Sequence, residues 1–222
     1  MPVKVLIVVA LESEAEGILS SGLVCSRVDA HTYVGEKYTL LVTGIGLIQA
    51  AKRLTQHLCA FAEVKYQRIL NLGYAGALTA DLANGQLVQI VSVLQHDSFL
   101  TRPDHTRQYF PSGTLIEQHM RAVPHLSPVQ LELDLPQLTL LCGSEFVSSR
   151  ERKQQLAQYG KLVDMESAAI LHVAADHSIP VSILKVVTDG VEAEDHVAEF
   201  LTHEKSYTDR LAMAFGHAQQ CF

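Results

Sequence analysis

Apolar runs and polar breaks follow one another along this chain in a rhythm that predicts strands and helices in turn. Positions 3–10 read Val-Lys-Val-Leu-Ile-Val-Val-Ala, mostly β-branched, as a strand covered on both faces requires. Leu11–Ser20 then reads as a helix, with Glu12, Glu14 and Glu16 crowding its start. Val24–Val34 and Tyr38–Thr43 predict two strands around Gly35-Glu36-Lys37, a hairpin signal. Thr43-Gly44-Ile45-Gly46 leads into a helix from Leu47 to about Ala62. Arg68–Leu72 is a short strand that opens into Gly73-Tyr74-Ala75-Gly76-Ala77, and Leu87–Leu94 is another, ending in Gln95-His96-Asp97. Ser98–Gly113 is polar and carries Pro103, His105, Arg107 and Pro111, so it predicts a loop that folds over a pocket or a partner subunit. Leu138–Leu141 is a strand, Ser148-Ser149-Arg150-Glu151 carries a helix-start signal, and Ala198–Gln219 is a long last helix.

The stretch from Leu162 to Asp189 organises the rest. It predicts a strand, a helix, a turn at Ser178–Pro180 and a buried strand over Val181–Val187. Such a βαβ unit has parallel strands whose C-terminal ends lie side by side, where open α/β sheets bind ligands. Glu166 and Asp189 each stand just past a strand end, so both carboxylates face one mouth. Each has an ordinary account: a Glu in a first helical turn complements the helix dipole, and an Asp after a strand caps the next helix. The dipole also accounts for Glu12, Glu14 and Glu16, and spacing does not choose which of the three stays free.

Composition narrows the function. A chain of 222 residues suits a single domain, residues 1–222, that buries roughly 70% of its unfolded surface. The net charge is −7 and no Lys/Arg run occurs, which argues against nucleic acid as a partner. Four cysteines, with no Cys-x-x-Cys pair, read as free thiols of a reducing compartment. Met1–Ala10 is too short for a signal peptide, and no apolar run reaches the ~20 residues of a membrane span. The expectation is a cytoplasmic protein with no membrane partner. The histidines are scattered without metal-ligand spacing, Gly44-Ile45-Gly46 lacks the rest of a dinucleotide fingerprint, and no Gly-x-Ser-x-Gly elbow appears. The glycine turn reads first as close packing and second as a ligand loop.

Six landmarks stand in fixed order: Ala10-Leu11-Glu12-Ser13-Glu14, Gly44-Ile45-Gly46, Gly73-Tyr74-Ala75-Gly76, Gly143-Ser144-Glu145-Phe146, Val163-Asp164-Met165-Glu166-Ser167-Ala168 and Val187-Thr188-Asp189. This order resembles the purine nucleoside phosphorylase superfamily, most closely the methylthioadenosine/S-adenosylhomocysteine nucleosidases. The resemblance covers nearly the whole chain. It implies a single-domain α/β three-layer sandwich, with a central mixed and partly barrel-like sheet flanked by helices. It also implies a homodimer whose partner lends residues to the pocket, a small purine nucleoside as ligand, and no cofactor or metal.

By position the resemblance puts Glu14 where water is activated and Asp189 where the purine is protonated. Glu166 stands at the ribose hydroxyls with Met165 beneath the sugar, and Phe146 and Val147 stand at the base. Ala75, Gly76, Tyr74, Thr188 and Lys185 complete the implied substrate-binding set. Tyr74 and Thr188 stand where relatives carry Ser, and Lys185 where they carry Arg, which differs in bidentate contacts. Val197 stands near where an aromatic would close over the substrate. These departures bear on the 5′ substituent.

The residue types suit the reaction independently. Cleaving an N-glycosidic bond leaves a positive C1′ centre and a purine anion, so an acid at N7 helps the base leave. A carboxylate on the other face activates water, as in inverting glycosidases. A third orients the sugar and stabilises its charge. The expected function is hydrolysis of a 5′-modified adenosine (methylthioadenosine, S-adenosylhomocysteine or 5′-deoxyadenosine type), with release of adenine. The acidic first loop, without a phosphate-binding arginine signature, favours water over phosphate. The alternatives are a nucleosidase or phosphorylase for another purine nucleoside, futalosine-like or an adenosylated lipid precursor, and a non-catalytic nucleoside binder.

Overall fold

The computed structural model describes residues 4–23, 25–111, 126–190 and 196–222; of 109–111 and 196–197 only the backbone is described. Val3, Val24, Gly113 and the side chain of Val197, all used in the sequence reading, lie outside that description.

The predicted first strand forms as β1 (Lys4–Val9), and its alternation shows why it must be buried on both faces. Leu6 and Val8 enter one core, while Val5, Ile7 and Val9 enter a second. The first core is covered by α2 (Leu47–Ala60) and α4 (Ser167–Asp176), the second by α1 (Glu12–Ser20) and α5 (His196–Gln219). The result is helices, sheet, helices: the three layers that an amphipathic helix set and a two-faced sheet require.

Among the described residues, ten strands make one mixed sheet. The remaining ones are β2 (Ser26–Arg27), β3 (Thr32–Val34), β4 (Tyr38–Val42), β5 (Tyr66–Ala77), β6 (Leu87–Thr101), β7 (Arg107–Pro111), β8 (Gln137–Cys142), β9 (Leu162–Asp164) and β10 (Val181–Val187). The path runs β10-β6-β8-β9-β5-β1-β4-β3-β2, and β10 also pairs with β5, which closes part of the sheet into a barrel. No described helix is long and apolar enough to cross a membrane.

Several expectations change. The unit from Leu162 to Asp189 is not a parallel βαβ pair. Strand β9 runs antiparallel to β5 (Gly76 opposite Val163), whereas β10 runs parallel to it (Val187 opposite Ala75). Both nevertheless reach one place, because the C-terminal end of β5 lies between them. Thr188 N–H donates to Ala75 O at 3.1 Å and Ala77 N–H to Asp189 O at 2.9 Å. Strand β5 does not stop at Leu72 but runs through Gly73 and Gly76, because those glycines keep extended geometry while carboxylates crowd against them. Val24–Val34 is split into β2 and β3 by a turn at Asp29, whose Oδ1 accepts from His31 N–H at 2.7 Å. Ser98–Gly113 is not an open loop as far as it is described: β6 continues to Thr101 and pairs with β7. Its polar residues belong to an exposed hairpin whose backbone groups satisfy one another.

Candidate active site

A cavity of about 260 Å³ opens where β5, β9 and β10 meet. Its walls come from Ala10–Leu11 and Glu14, Ile45, Tyr74–Gly76, Glu145–Val147, Val163–Glu166, Thr188–Asp189 and Phe200. Residues far apart in sequence therefore meet, and all but one of the predicted site residues are among them. The exception is Lys185.

Glu14 is the acidic residue of the first helix that turns inward; it is 2% exposed. Its Oε2 accepts from the backbone N–H of Ala10 at 2.7 Å and of Leu11 at 2.9 Å, and its Oε1 from Tyr74 N–H at 3.0 Å. Two of these donors belong to the start of its own helix, where N–H groups lack partners. Burial pushes its pKa up, against the lowering effect of these N–H groups and of Lys185. Glu12, by contrast, lies outside and pairs with Arg27 at 3.6 Å.

Glu166 precedes α4 and accepts from Gly46 N–H at 2.7 Å. Gly46 has φ +94°, a left-handed conformation that glycine adopts without strain. The Gly44-Ile45-Gly46 turn starts α2 and holds a site carboxylate while Ile45 lines the cavity; it is not a close-packing turn, since a Cβ at Gly46 would meet nothing within 4 Å. Burial and then the neighbouring Asp164 raise the Glu166 pKa to about 7.

Asp189 follows β10. Its Oδ2 accepts from Lys153 Nζ at 2.6 Å, and its Oδ1 from the Thr188 hydroxyl at 3.1 Å. A Cβ on Gly76 would lie 3.0 and 3.1 Å from the two carboxylate oxygens, so this glycine is what gives the group room. Tyr207 fixes the strand end from α5 by donating its hydroxyl to Thr188 O at 2.5 Å.

Lys185, one of the implied substrate-binding residues, is not among the residues that line the cavity. It is 2% exposed, with Nζ 2.9 Å from Asp164 Oδ2. Burial alone would lower its pKa, but Asp164, Glu166 and Glu14 together hold it raised. Lys185 is thus a buried counter-charge for the acidic floor. Asp164 in turn accepts from the backbone N–H of Ser167 at 3.2 Å and from its hydroxyl, and the same hydroxyl lies 3.0 Å from Asn71 Oδ1.

Tyr74 packs edge-on against Phe200, and its hydroxyl lies 3.2 Å from Thr208 Oγ1. Phe146 is 57% exposed at the mouth, Val147 is buried, and Met165 is half-buried in the wall. Residues that the sequence reading did not assign include Lys153, Asp164, Glu145, Leu11 and Phe200. Asp164 and Glu145 stood inside quoted landmarks, whereas Lys153 sits in a run of charged residues that reads as a solvated helix face. Among the described residues, no group of three or more His, Cys, Asp or Glu stands where it could hold a metal ion.

A family model described as "Phosphorylase superfamily" matches residues 4–218. The chain belongs to the phosphorylase superfamily. Within this superfamily it is similar to an aminodeoxyfutalosine nucleosidase of Helicobacter pylori, 25% identical over 179 residues, covering 78% of this chain and 76% of the relative. It is also similar to a 5′-methylthioadenosine/S-adenosylhomocysteine nucleosidase of a Marinomonas species, 27% identical over 182 residues and 76% of each chain. Among solved structures, an aspartate-to-asparagine mutant of Helicobacter pylori MTAN with 5′-methylthioadenosine in its active site shares the superfamily fold. Its TM-score is 0.80 and its identity 21%, over 98% of both chains.

Proposed function

We propose that this phosphorylase-superfamily protein is a purine nucleosidase, acting as a cytoplasmic homodimer, that hydrolyses the N-glycosidic bond of a 5′-modified adenosine and releases adenine. The observation that carries the reading is the convergence of three buried carboxylates, Glu14, Glu166 and Asp189, on one nucleoside-sized cavity.

Asp189 gives a proton to N7 as the C1′–N9 bond breaks, so the purine leaves neutral. Glu14 takes a proton from water as the water oxygen bonds to C1′. Burial, by raising its pKa, makes the ionised carboxylate a stronger base, and its three backbone N–H donors keep it aimed. Glu166 accepts from the ribose hydroxyls and favours positive charge on the sugar. Met165 supports the sugar and Phe146 and Val147 the base, while Ala75, Gly76 and Thr188 shape the wall behind Asp189.

Water is favoured over phosphate by charge. Every charged side chain among the described cavity residues is a carboxylate: Glu14, Glu145, Asp164, Glu166 and Asp189. Such a lining repels a phosphate anion and leaves a neutral nucleophile unaffected. Homodimer formation is supported by the apolar groups at the mouth, Phe146 and Ile45, each 57% exposed and available to a second subunit. A second reading, a futalosine-type nucleoside, is favoured by Tyr74 in the wall and by the likeness to the aminodeoxyfutalosine nucleosidase.

The test is adenine release in phosphate-free buffer from methylthioadenosine, S-adenosylhomocysteine, 5′-deoxyadenosine and aminodeoxyfutalosine. Release from one of the first three is expected. Release from aminodeoxyfutalosine alone selects the second reading, and no release from any of the four by folded protein rejects both.

A further inference from the structure

We infer that Lys153 is a positioning residue for the acid Asp189, fixing which carboxylate oxygen serves the base and stabilising the charge left behind when the proton departs. This rests on the proposed role of Asp189.

The observations are local and specific. Lys153 belongs to α3 (Arg150–Leu156), whose N-cap Ser149 accepts from Arg152 N–H at 3.1 Å. Two flanking residues, Arg150 and Glu151, are exposed, but Lys153 is 0% exposed. Its ammonium lies 2.6 Å from Asp189 Oδ2 and 3.1 Å from Gly190 O. Taking an ammonium out of water is costly, so one kept fully buried against a site carboxylate needs a reason beyond stability. An Arg or Lys on a short surface helix normally keeps its charge in solvent, with only its stem covered.

The reason offered is geometric and electrostatic. Rotation about the last bond of an aspartate is broad and nearly two-fold, so its two oxygens exchange easily. Lys153 removes that symmetry by claiming Oδ2. Gly76 allows the carboxyl to lie flat against β5, and Thr188 donates to Oδ1. The proton for the base therefore leaves from Oδ1. When the C1′–N9 pair moves onto the purine and the Oδ1 proton passes to N7, Asp189 gains a full negative charge. The ammonium is already in place beside it, so no group has to reorganise during the step. The proton balance closes when Glu14 accepts the proton of the attacking water and solvent restores both groups.

The same helix ties the acid to the base wall. Helix α3 follows directly on Glu145-Phe146-Val147, which line the cavity. A base seated against Phe146 and the acid that protonates it are thus held by one short segment.

The experiment compares Lys153→Met, Lys153→Arg and Asp189→Asn on methylthioadenosine and on its N7-methylated form. That form already carries the positive charge and loses a neutral base without gaining a proton. Lys153→Met is expected to lower kcat on methylthioadenosine roughly 10-fold to 100-fold with KM nearly unchanged, within the span of acid–base effects. Lys153→Arg recovers most of this loss, and the loss from Lys153→Met shrinks at least several-fold on the N7-methylated nucleoside. Equal losses on both nucleosides, or no loss on methylthioadenosine, overturn the inference. If Asp189→Asn itself keeps the wild-type rate on methylthioadenosine, the acid role of Asp189 fails instead, a separate outcome. Lys153→Gln carries the same comparison should the methionine variant not fold.

Discussion

Two buried carboxylates line the cavity, Glu14 and Asp189, and the protein holds them differently. Glu14 is fixed by three backbone N–H groups, from Ala10, Leu11 and Tyr74. Asp189 is fixed by side chains, the ammonium of Lys153 and the hydroxyl of Thr188. Backbone donors orient a carboxylate and cannot be mutated away, and the positive charge that acts on Glu14, Lys185, is itself bonded to Asp164. An ammonium orients a carboxylate too, but also stabilises the anion and can be deleted. The contrast suits the assigned tasks. Glu14 starts ionised and accepts a proton, whereas Asp189 ends ionised after giving one.

The largest test of that contrast is replacement of each carboxylate by its amide. Asp189→Asn is expected to lower kcat about 100-fold to 10,000-fold while nucleoside binding stays within a few-fold, since the amide cannot supply the proton. It also takes a carboxylate away from the buried Lys153 ammonium, so urea unfolding is expected to show a loss of up to about 3–5 kcal/mol. Glu14→Gln is expected to lower kcat about 100-fold or more, for want of a base. Its amide N–H₂ faces backbone donors it cannot accept from, and the expected stability loss is smaller, about 1–3 kcal/mol. Equal stability losses in urea would erase the distinction between the two carboxylates.

A finer test moves the carboxylates without removing them. A Cβ at Gly73 would lie 2.9 Å from Glu14 Oε1, and one at Gly76 would lie 3.0 Å from Asp189 Oδ1. Each alanine variant is expected to lower kcat roughly tenfold, since misplacement by about 1 Å costs up to 100-fold. Steady-state assays on both variants check this, and unchanged rates would show that neither carboxyl position matters.

The smallest expected effect concerns Glu166. Its pKa is raised from the usual 4.5 to about 7 in the folded protein. A raised value means that the folded state holds the proton more tightly. The group therefore contributes stability that is complete below pH 4.5 and lost as the pH rises through about 7. In Glu166→Gln this contribution no longer titrates, so the slope of Tm against pH in that window is expected to flatten. An unchanged slope would contradict the burial argument.

Much of this was legible in the sequence, and the pattern of what was not is physical. Strand β1, helices α1, α2, α4 and α5 and the cap at Ser149 follow from local periodicity and capping chemistry, which act within a few residues. Spacing left Glu14 as one of three acidic candidates; the resemblance pointed to it, and its burial against Tyr74 N–H of a distant strand is what local pattern does not show. The pairing of β9 and β10 with opposite edges and directions of β5 is a matter of sheet closure, to which the alternation within each strand is blind. Gly73 and Gly76 looked like the end of a strand because glycine usually breaks one; here it admits two carboxylates. Lys153 was hidden among Arg150, Glu151 and Arg152, since the stretch Arg-Glu-Arg-Lys does not say which charge turns inward.

The most direct test of the account is the origin of the new oxygen on the sugar. Turnover of methylthioadenosine in ¹⁸O-water containing phosphate, followed by mass spectrometry of the released sugar, is expected to give one ¹⁸O at C1′ and free methylthioribose. A sugar 1-phosphate, or free sugar without the label, would contradict a site built from carboxylates to direct water at that carbon.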